Sequence, residues 1–389
     1  MACKVVSVIL LLVCTDTVSA QQDGRVDIPT LQARARVDSN DPLTHYNLAI
    51  AYLAKKTYAE AEAALHQAIA LDAQFAPGYF YLAAIPRKRT VHSALIHWRG
   101  RPVLLTVFGN DSVARESFRL ARIAFFLNPL LDLGRPRSSD IPMKWAGGAG
   151  RALEDFRQGR YRAAYDRLTD LIARSEGKSD SVAGAFLWYR SLCATHLLMW
   201  DTAIGDARRL LERAEHDDTL AKRFERTPFD TERHRYFVAY LHQQAGHWDE
   251  AIRVYQELLE RNIGLYPAHI RLAEIHEQRR DWDAAVLERE RAVSTNPEDP
   301  SLLFDHGATL IRAGRLSHAA EALGRAISAN PRETRAYYAL GLVYSDLQRA
   351  AEARPVFEQF IALAPSRYES LIGDAKRRLA QELTRDREQ

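Results

Sequence analysis

Two stretches near the C-terminus decide the fold: PSLLFDHGATLIRAGRLSHAAEALGRAISANP at residues 300–331 and TRAYYALGLVYSDLQRAAEARPVFEQFIALAP at residues 334–365. They share one pattern of small, apolar and proline residues at a spacing of 34 positions. The matched pairs are Gly307 with Gly341, Ala319 with Ala353, Leu323 with Phe357, Ala326 with Phe360, and Pro331 with Pro365. A fixed period of about 20–50 residues is typical of stacked structural repeats.

The same register continues toward the N-terminus for two more periods. Four repeats therefore begin at Glu232, Tyr266, Pro300 and Thr334. Small residues at fixed positions allow two helix backbones to approach closely, and a proline ends the second helix because it has no N–H to donate. Each repeat is predicted to be a helix–turn–helix pair, and neighbouring pairs must stack to bury their apolar faces.

Weaker versions of the pattern extend the array to about eight repeats. We expect this organisation: a signal peptide at 1–20, an N-terminal segment at 21–41, two repeats at 42–129 with an insertion at 87–111, a linker at 130–144, two divergent repeats at 145–217, a linker at 218–231, four in-register repeats at 232–367, and a capping helix with a tail at 368–389. The linkers are predicted from their proline, glycine, serine and charge content.

The 34-residue pattern resembles the tetratricopeptide repeat (TPR) family, whose consensus has small residues at positions 8, 20 and 27 and a proline at position 32. The turns GHWDEA at 246–251 and RDWDAA at 280–285 resemble its inter-helix turn. The resemblance implies an all-α fold, a right-handed α-solenoid of helix–turn–helix repeats with a C-terminal capping helix. It also implies protein–protein interaction as the function, without naming the partner.

In this family the first helix of each repeat lines a concave groove that holds peptide ligands. The corresponding positions here are Tyr46, Phe80, Trp188, Tyr236, Tyr240, Glu274, Phe304 and Tyr338. Aromatic rings are common anchors of partner segments, but packing against the neighbouring helix is the alternative, and the sequence leaves both open. The Lys and Asn pattern of carboxylate-binding family members is missing, so an apolar extended or helical segment is the expected ligand.

The insertion combines positive charge with apolar residues. Its candidate surface consists of Arg87, Lys88, Arg89, Trp98, Arg99 and Arg101, followed by the apolar run PVLLTVF at 102–108. Such a segment suits an anionic membrane surface or an acidic partner. The alternative function is therefore a subunit that docks into a larger envelope assembly, and the structural alternative is a loop folded onto the repeats.

Catalytic motifs are missing from the sequence, which has no G-x-S-x-G, H-E-x-x-H or C-x-x-C. His242 and His276 share position 11 of neighbouring repeats, but no carboxylate accompanies them, so packed histidines are expected instead of a metal site. Cys193 lies in an apolar helix and is expected to be inert. The sequence predicts neither an enzyme nor a cofactor, and the net charge of +3 argues against a nucleic-acid binder.

The first twenty residues predict a secretory signal peptide. A positive charge precedes an apolar run at 5–13, and VSA at 18–20 offers a cleavage site after Ala20. A lipoprotein signal that ends at Cys14 is the alternative, although Val13 stands where such signals have a small residue. We therefore expect an exported protein, periplasmic or secreted, that binds a protein segment.

Overall fold

The computed structural model describes residues 27–90, 96–98, 101–103, 111–130, 143–175, 180–224 and 229–388. The predicted signal peptide and most of the predicted linker at 130–144 lie outside these residues. Within them the chain forms eighteen α-helices, one short 3₁₀ helix and one two-stranded hairpin. The all-α fold of helical repeats predicted from the period is confirmed, with the hairpin as its one addition in the described part.

The helices follow one another in pairs. In chain order they are α1 (Ile28–Val37), α2 (Pro42–Ala54), α3 (Tyr58–Leu71), α4 (Ala76–Thr90), α5 (Asp111–Leu127), α6 (Met143–Arg157), α7 (Tyr161–Ser175), α8 (Asp180–His196), α9 (Trp200–Phe224), α10 (Phe229–Gln244), α11 (Trp248–Arg261), α12 (Tyr266–Gln278), α13 (Trp282–Thr295), α14 (Pro300–Arg312), α15 (Leu316–Ala329), α16 (Thr334–Asp346), α17 (Ala350–Leu363) and α18 (Glu369–Glu388). The even-numbered helices α2 to α16 are the first helices of eight pairs, and we call the side that they form the helix-A side.

The chain divides into two compact units. Unit 1 takes its described residues from within 1–92, 108–127 and 272–389, so it contains both ends of the described chain. Unit 2 takes its described residues from within 93–107 and 128–271. Because α12 crosses this boundary, its first part belongs to unit 2 and its last part to unit 1.

Small residues at position 8 are explained by the packing inside each pair. A Cβ atom added to Gly341 would lie 2.6 Å from the ring of Phe357, and one added to Gly307 would lie 2.8 Å from the side chain of Leu323. Both of those apolar side chains, which stand at position 24, are fully buried. The side chain at position 24 therefore fills the space that a larger residue at position 8 would need.

A left-handed residue forms the turn between the two helices in seven of the described pairs. These residues all stand at position 15 and have φ between 59° and 77°: Lys56, Gly159, Leu198, Gly246, Arg280, Gly314 and Gln348. The left-handed conformation costs an L-residue other than glycine about 1–2 kcal/mol. Four of the seven turns therefore carry backbone strain that the three glycine turns avoid.

The predicted linker at 218–231 differs from the structure, because α9 continues to Phe224 and α10 begins at Phe229. Its high charge content suggested a loop. No glycine or proline occurs between Gly205 and Pro228, however, and Glu, Lys and Arg are good helix formers. The second helix of the fourth pair is therefore 25 residues long.

The N-terminal segment at 21–41 contains a helix that the period did not predict. Leu31 of α1 is buried, and Gln32 Nε2 donates a hydrogen bond to the hydroxyl of Tyr52 at 2.8 Å. The helix packs against α2 as a half-repeat, so it covers the outer face of the first pair. A single helix of ten residues is too short to show a 34-residue period.

Candidate functional site

Five of the six aromatic residues at position 5, where the sequence predicts a groove, are buried. The exposed fraction is 7% for Tyr46 and Trp188, and 0% for Tyr236, Phe304 and Tyr338. A ring with no exposed surface has no face to offer a ligand, so these side chains serve the packing of the helices.

In unit 1 these rings contact the next helix pair along the chain. The hydroxyl of Tyr338 donates to Asp374 Oδ2 of α18 at 2.8 Å, and burial, followed by Asp374, raises the pKa of this tyrosine above its ordinary value. The guanidinium carbon of Arg335 in α16 lies 4.7 Å from the ring centre of Phe304 in α14. Position 5 therefore joins neighbouring repeats, which is the packing interpretation that the sequence left open.

Unit 2 repeats this arrangement. The ring centre of Trp188 in α8 lies 4.8 Å from that of Phe237 in α10 and 5.3 Å from the guanidinium carbon of Arg233. The hydroxyl of Tyr236 in turn lies 3.5 Å from the carbonyl oxygen of Pro267 in α12. The same position thus makes the same kind of contact across successive pairs.

Guanidinium groups cover the rings on the helix-A side of unit 2. Arg233 lies over Trp188, and Arg271 lies over Tyr240 with 5.4 Å between the guanidinium carbon and the ring centre. Arg271 Nε also lies 3.4 Å from the hydroxyl of Tyr236, to which it donates. Both arginines are half-buried, whereas Tyr240 is only 9% exposed. On this side half-buried guanidinium groups therefore lie over aromatic rings that are almost fully buried.

The remaining predicted groove residues, Phe80 and Glu274, are half-buried. The ring of Phe80 makes an edge contact with Tyr81 at 5.0 Å, and Tyr81 lies 5.8 Å from the ring of Tyr46. Tyr46 also contacts Phe75 at 5.4 Å. Binding of a partner by any of the predicted groove residues stays a prediction.

The basic part of the insertion lies partly in a helix. Residues 87–89 extend α4, and the hairpin strands β1 (Ile96–Trp98) and β2 (Arg101–Val103) follow with Trp98 paired to Arg101 in antiparallel register. Arg99 and the rest of the insertion lie outside the described residues. No helix in the described part of the chain has the length and hydropathy needed to span a membrane.

A buried ion network in unit 1 joins α12, α13 and α14, and the sequence reasoning did not predict it. Arg289 donates to Glu277 Oε1 at 3.1 Å and to Asp305 Oδ2 at 3.3 Å. Glu277 also accepts hydrogen bonds from Thr309 Oγ1 at 2.6 Å and from Arg312. Two arginines and two carboxylates therefore neutralise one another inside the repeat stack.

The charges of this network determine its titration. Burial alone would raise the pKa of Glu277, but Arg289 and Arg312 outweigh it and hold that pKa below its ordinary value. The sequence did contain a signal for this site. Arg289 stands at position 24, where the neighbouring repeats have Tyr255 and Leu323. A charged residue at a buried repeat position indicates a buried partner.

His242 and Cys193, the side chains with the most reactive chemistry in the sequence analysis, are both buried. His242 Nε2 lies 3.0 Å from Arg208 Nη2, and burial, with that arginine, lowers the pKa of the histidine to about 4. Burial raises the pKa of the Cys193 thiol to about 12, so the reactive thiolate is scarce at neutral pH. Among the described residues, no group of three or more His, Cys, Asp or Glu side chains is placed to hold a metal ion.

Comparison with known proteins agrees with the repeat assignment. Family models of the tetratricopeptide repeat match residues 239–300, 304–368 and 44–75. No curated protein matches the chain.

Several solved structures are similar to this chain at low identity. The C-terminal part of a TPR repeat-containing protein from Cytophaga hutchinsonii has 15% identity over 61% of this chain and 88% of that chain, with a TM-score of 0.47. A MamA structure labelled AMB-1 has 16% identity over 50% of this chain and 99% of that chain, with a TM-score of 0.36. Another MamA structure has 17% identity over 46% and 90%, with a TM-score of 0.37. These similarities carry no argument about function.

The family matches cover the first helix pair and the last four, and the described structure forms helix pairs along the chain between them. The third and fourth pairs have the same left-handed turn between their helices as the matched repeats, at Gly159 and Leu198. The chain therefore contains tetratricopeptide repeats, which the family models match at residues 44–75, 239–300 and 304–368.

Proposed function

We propose that this chain is an exported, non-catalytic scaffold that binds a polar or acidic protein segment on the helix-A side of unit 2. Tetratricopeptide repeats form a protein-interaction fold that is typically non-catalytic, and no enzyme family is indicated. The site, the chemistry of the segment and the export are parts of the proposal.

The pair of arginines stacked on aromatic rings, Arg233 on Trp188 and Arg271 on Tyr240, carries the choice of site. A guanidinium group held over a ring keeps its orientation, and guanidinium groups recognise carboxylate and carbonyl oxygens through their N–H groups. The apolar segment expected from the sequence needs exposed rings, and those rings are buried. A segment with acidic or carbonyl acceptors suits the arginine-covered side better.

Site-specific photo-crosslinking tests this site. A crosslinking amino acid at Gln244, exposed near the end of α10, reports the helix-A side of unit 2. The matched control is Gln256, an exposed glutamine on α11 of the same pair. We expect a defined protein adduct from position 244 and none from position 256. Adducts of equal yield from both positions, or from position 256 alone, would contradict the proposed site.

Neutralising the arginines tests the chemistry of the segment. Arg233→Gln and Arg271→Gln remove a charge and keep most of the side-chain volume. Each lost charge-assisted hydrogen bond is worth about 1–3 kcal/mol, so the adduct from position 244 should fall about fivefold or more. Circular dichroism of the variants checks that the helices persist. An unchanged adduct yield in folded variants would show that the segment does not depend on these charges.

The insertion supports a second candidate function, docking into a larger envelope assembly or onto an anionic membrane. It separates the two helices of the second pair and contains a hairpin where an uninterrupted repeat would have a short turn. Deleting residues 91–110 and measuring flotation with anionic vesicles tests it. Binding that persists after the deletion would remove this candidate, and loss of binding with an unchanged position-244 adduct would separate the two functions.

A further inference from the structure

The two ends of the described chain meet inside unit 1, at a contact that we call the N-terminal clasp. Its N-terminal part consists of the segments 38–41 and 70–74. Its C-terminal part consists of the segments 299–305, 330–335 and 363–368. Each segment lies where one helix ends or the next begins, and some include the end of a helix, since Ser301 and Asp305 belong to α14.

The first row of the clasp is a set of hydrogen bonds. Ser366 donates from its backbone N and from its Oγ to the carboxylate of Asp38, at 2.8 Å in each case. Asn40 Nδ2 donates to the carbonyl oxygen of Leu363 at 3.0 Å. The loop before α2 is thereby fixed to the loop after α17.

The second row lies between earlier and later repeats. Its hydrogen bonds run from Ser301 Oγ to Asp72 Oδ1 at 3.1 Å, from Gln74 Nε2 to Asp305 Oδ2 at 3.5 Å, and from Asn330 Nδ2 to the carbonyl oxygen of Ala70 at 3.3 Å. Each of these bonds has a side-chain donor and none belongs to the backbone hydrogen bonds of a helix, so they can break without unwinding any helix. A polar cavity of about 10 Å³ lies beside them, far too small for an organic ligand.

Carboxylates converge on the clasp. Asp72, Asp299 and Glu333 are 9%, 5% and 3% exposed, and Asp305 is half-buried beside them. Arg335 holds Glu333 in a bidentate pair with N–O distances of 2.8 and 3.0 Å. Further positive charges nearby are Arg289, 3.3 Å from Asp305, and Arg367, 3.4 Å from Asp41, together with Arg312 and Arg332. Like charges therefore face one another across the contact.

Asp299 is one of these buried carboxyl groups. Burial raises its pKa to about 6, with smaller contributions from the charges of Asp72 and Asp305, although the backbone N–H groups of residues 301 and 302 oppose the shift. Asn296 Nδ2 lies 3.3 Å from Asp299 Oδ2. Besides Asp72 and Asp305, the hydroxyl of Tyr79 in α4 is a titratable group close enough to interact with Asp299.

The neighbouring carboxyl groups are affected in the same direction. Burial, with Asp72 and Asp305, raises the pKa of Glu333 even though Arg335 opposes the shift. Burial also raises the pKa of Asp305 against the attraction of Arg289, Arg335 and Arg312. Glu333 and Asp305 thus have a raised pKa, as Asp299 has.

We propose that the N-terminal clasp is a pH-dependent closure, engaged in mildly acidic solution and weakened as the pH rises through neutrality. Asp72 approaches the carboxylates of the last repeats only while the clasp is closed. Protonating those carboxylates removes the repulsion that closure creates, and the hydrogen bonds of both rows then hold the loops together. This closure does not depend on which segment the protein binds.

The direction of the pH effect follows from the raised pKa values. A carboxyl group whose pKa is higher in the closed state binds protons more tightly there than in the open state. Asp72 raises the pKa of Asp299 and of Glu333 only while the clasp is closed. Closure therefore gains free energy as the pH falls through the range in which these groups titrate, about 6 for Asp299, and loses it as the pH rises above that range.

Amide hydrogen exchange of the full chain tests this closure. The backbone N–H of Ser366 donates to Asp38 across the clasp and is a direct reporter of its opening. Asp72→Asn removes one repelling charge and keeps an acceptor oxygen for Ser301. Comparing variant and wild type at the same pH cancels intrinsic exchange rates. We expect the variant to slow exchange at Ser366 roughly three- to tenfold at pH 7.5, and to change little at pH 5.

A second Asp→Asn variant provides the matched control. Asp41 pairs with Arg367 across the clasp, and Asn is an equally good helix N-cap, so Asp41→Asn should speed exchange at Ser366 at pH 7.5. Opposite signs from the two variants, with α11 of unit 2 unaffected, support the proposal. An Asp72→Asn effect that is absent at pH 7.5, that is equal at both pH values, or that spreads to α11 would overturn it.

Discussion

Position 15 shows how one residue type decides whether a repeat's turn carries backbone strain. Because the left-handed turn costs an L-residue about 1–2 kcal/mol, Arg280→Gly should relieve strain and raise the free energy of unfolding by about 0.5–1 kcal/mol after the larger chain entropy of glycine is subtracted. Gly314→Ala should lower it by a similar amount. Chemical denaturation measures both.

A glycine inside a helix is the control for this prediction. Gly324 of α15 has no atom within 4 Å of an added Cβ, so Gly324→Ala should stabilise the protein by about 0.5–1 kcal/mol. If Gly314→Ala also stabilised the protein, the left-handed turn would not be a source of strain.

The aromatic residues at position 5 show which property of the site the sequence could not predict. The period places Tyr236, Phe304 and Tyr338 correctly at one repeated position, but burial depends on how closely the next pair approaches. That approach is set by contacts such as Arg335 on Phe304, whose residues lie 31 positions apart. The sequence pattern alone therefore could not separate a binding row from a packing row.

At the scale of helices, the buried network of α12, α13 and α14 depends on Arg289. Arg289→Leu should lower the free energy of unfolding by about 3–5 kcal/mol, because it leaves Glu277 and Asp305 less well compensated in a buried site. Arg291→Leu, on the exposed face of the same helix, should cost no more than about 1 kcal/mol. Denaturation curves of the two variants compare them directly.

Titration supplies an independent check on this network. The pKa of Glu277 is lowered, so its ion pairs stabilise the fold above about pH 4.5 and lose that contribution as the pH falls below it. The difference in stability between wild type and Arg289→Leu should shrink between pH 7 and pH 4. A difference that stayed constant would mean that Arg289 acts through its packing alone.

Helix boundaries were predictable where the period is strong. The four pairs from α10 to α17 follow the register that begins at Glu232, because each contains its own small residues and turn. The continuation of α9 to Phe224 and the presence of α1 were not predictable. Neither belongs to a full repeat, and charge content alone does not distinguish a solvated helix from a loop.

At the scale of the whole molecule, export is the prediction that the described residues leave open. We expect the mature protein to begin at Gln21, because VSA at 18–20 places small residues at the cleavage site. Mass spectrometry of the N-terminus of protein from the native host checks this. Ala20→Arg should block processing and leave a larger precursor. A mature chain that begins at Cys14 and has a lipid attached would support the alternative.

The N-terminal clasp also reaches across the whole chain, since Asp38 and Ser366 are separated by 328 positions. A ribosome releases the first repeat long before the last one. The carboxylates of Asp38 and Asp72 therefore stay exposed to water until the last repeats have been synthesised. Unit 2 is complete when about residue 271 has emerged, whereas unit 1 must wait for its final loops. A premature stop codon a few dozen residues before the end would therefore deprive the opposite end of the chain of its partner.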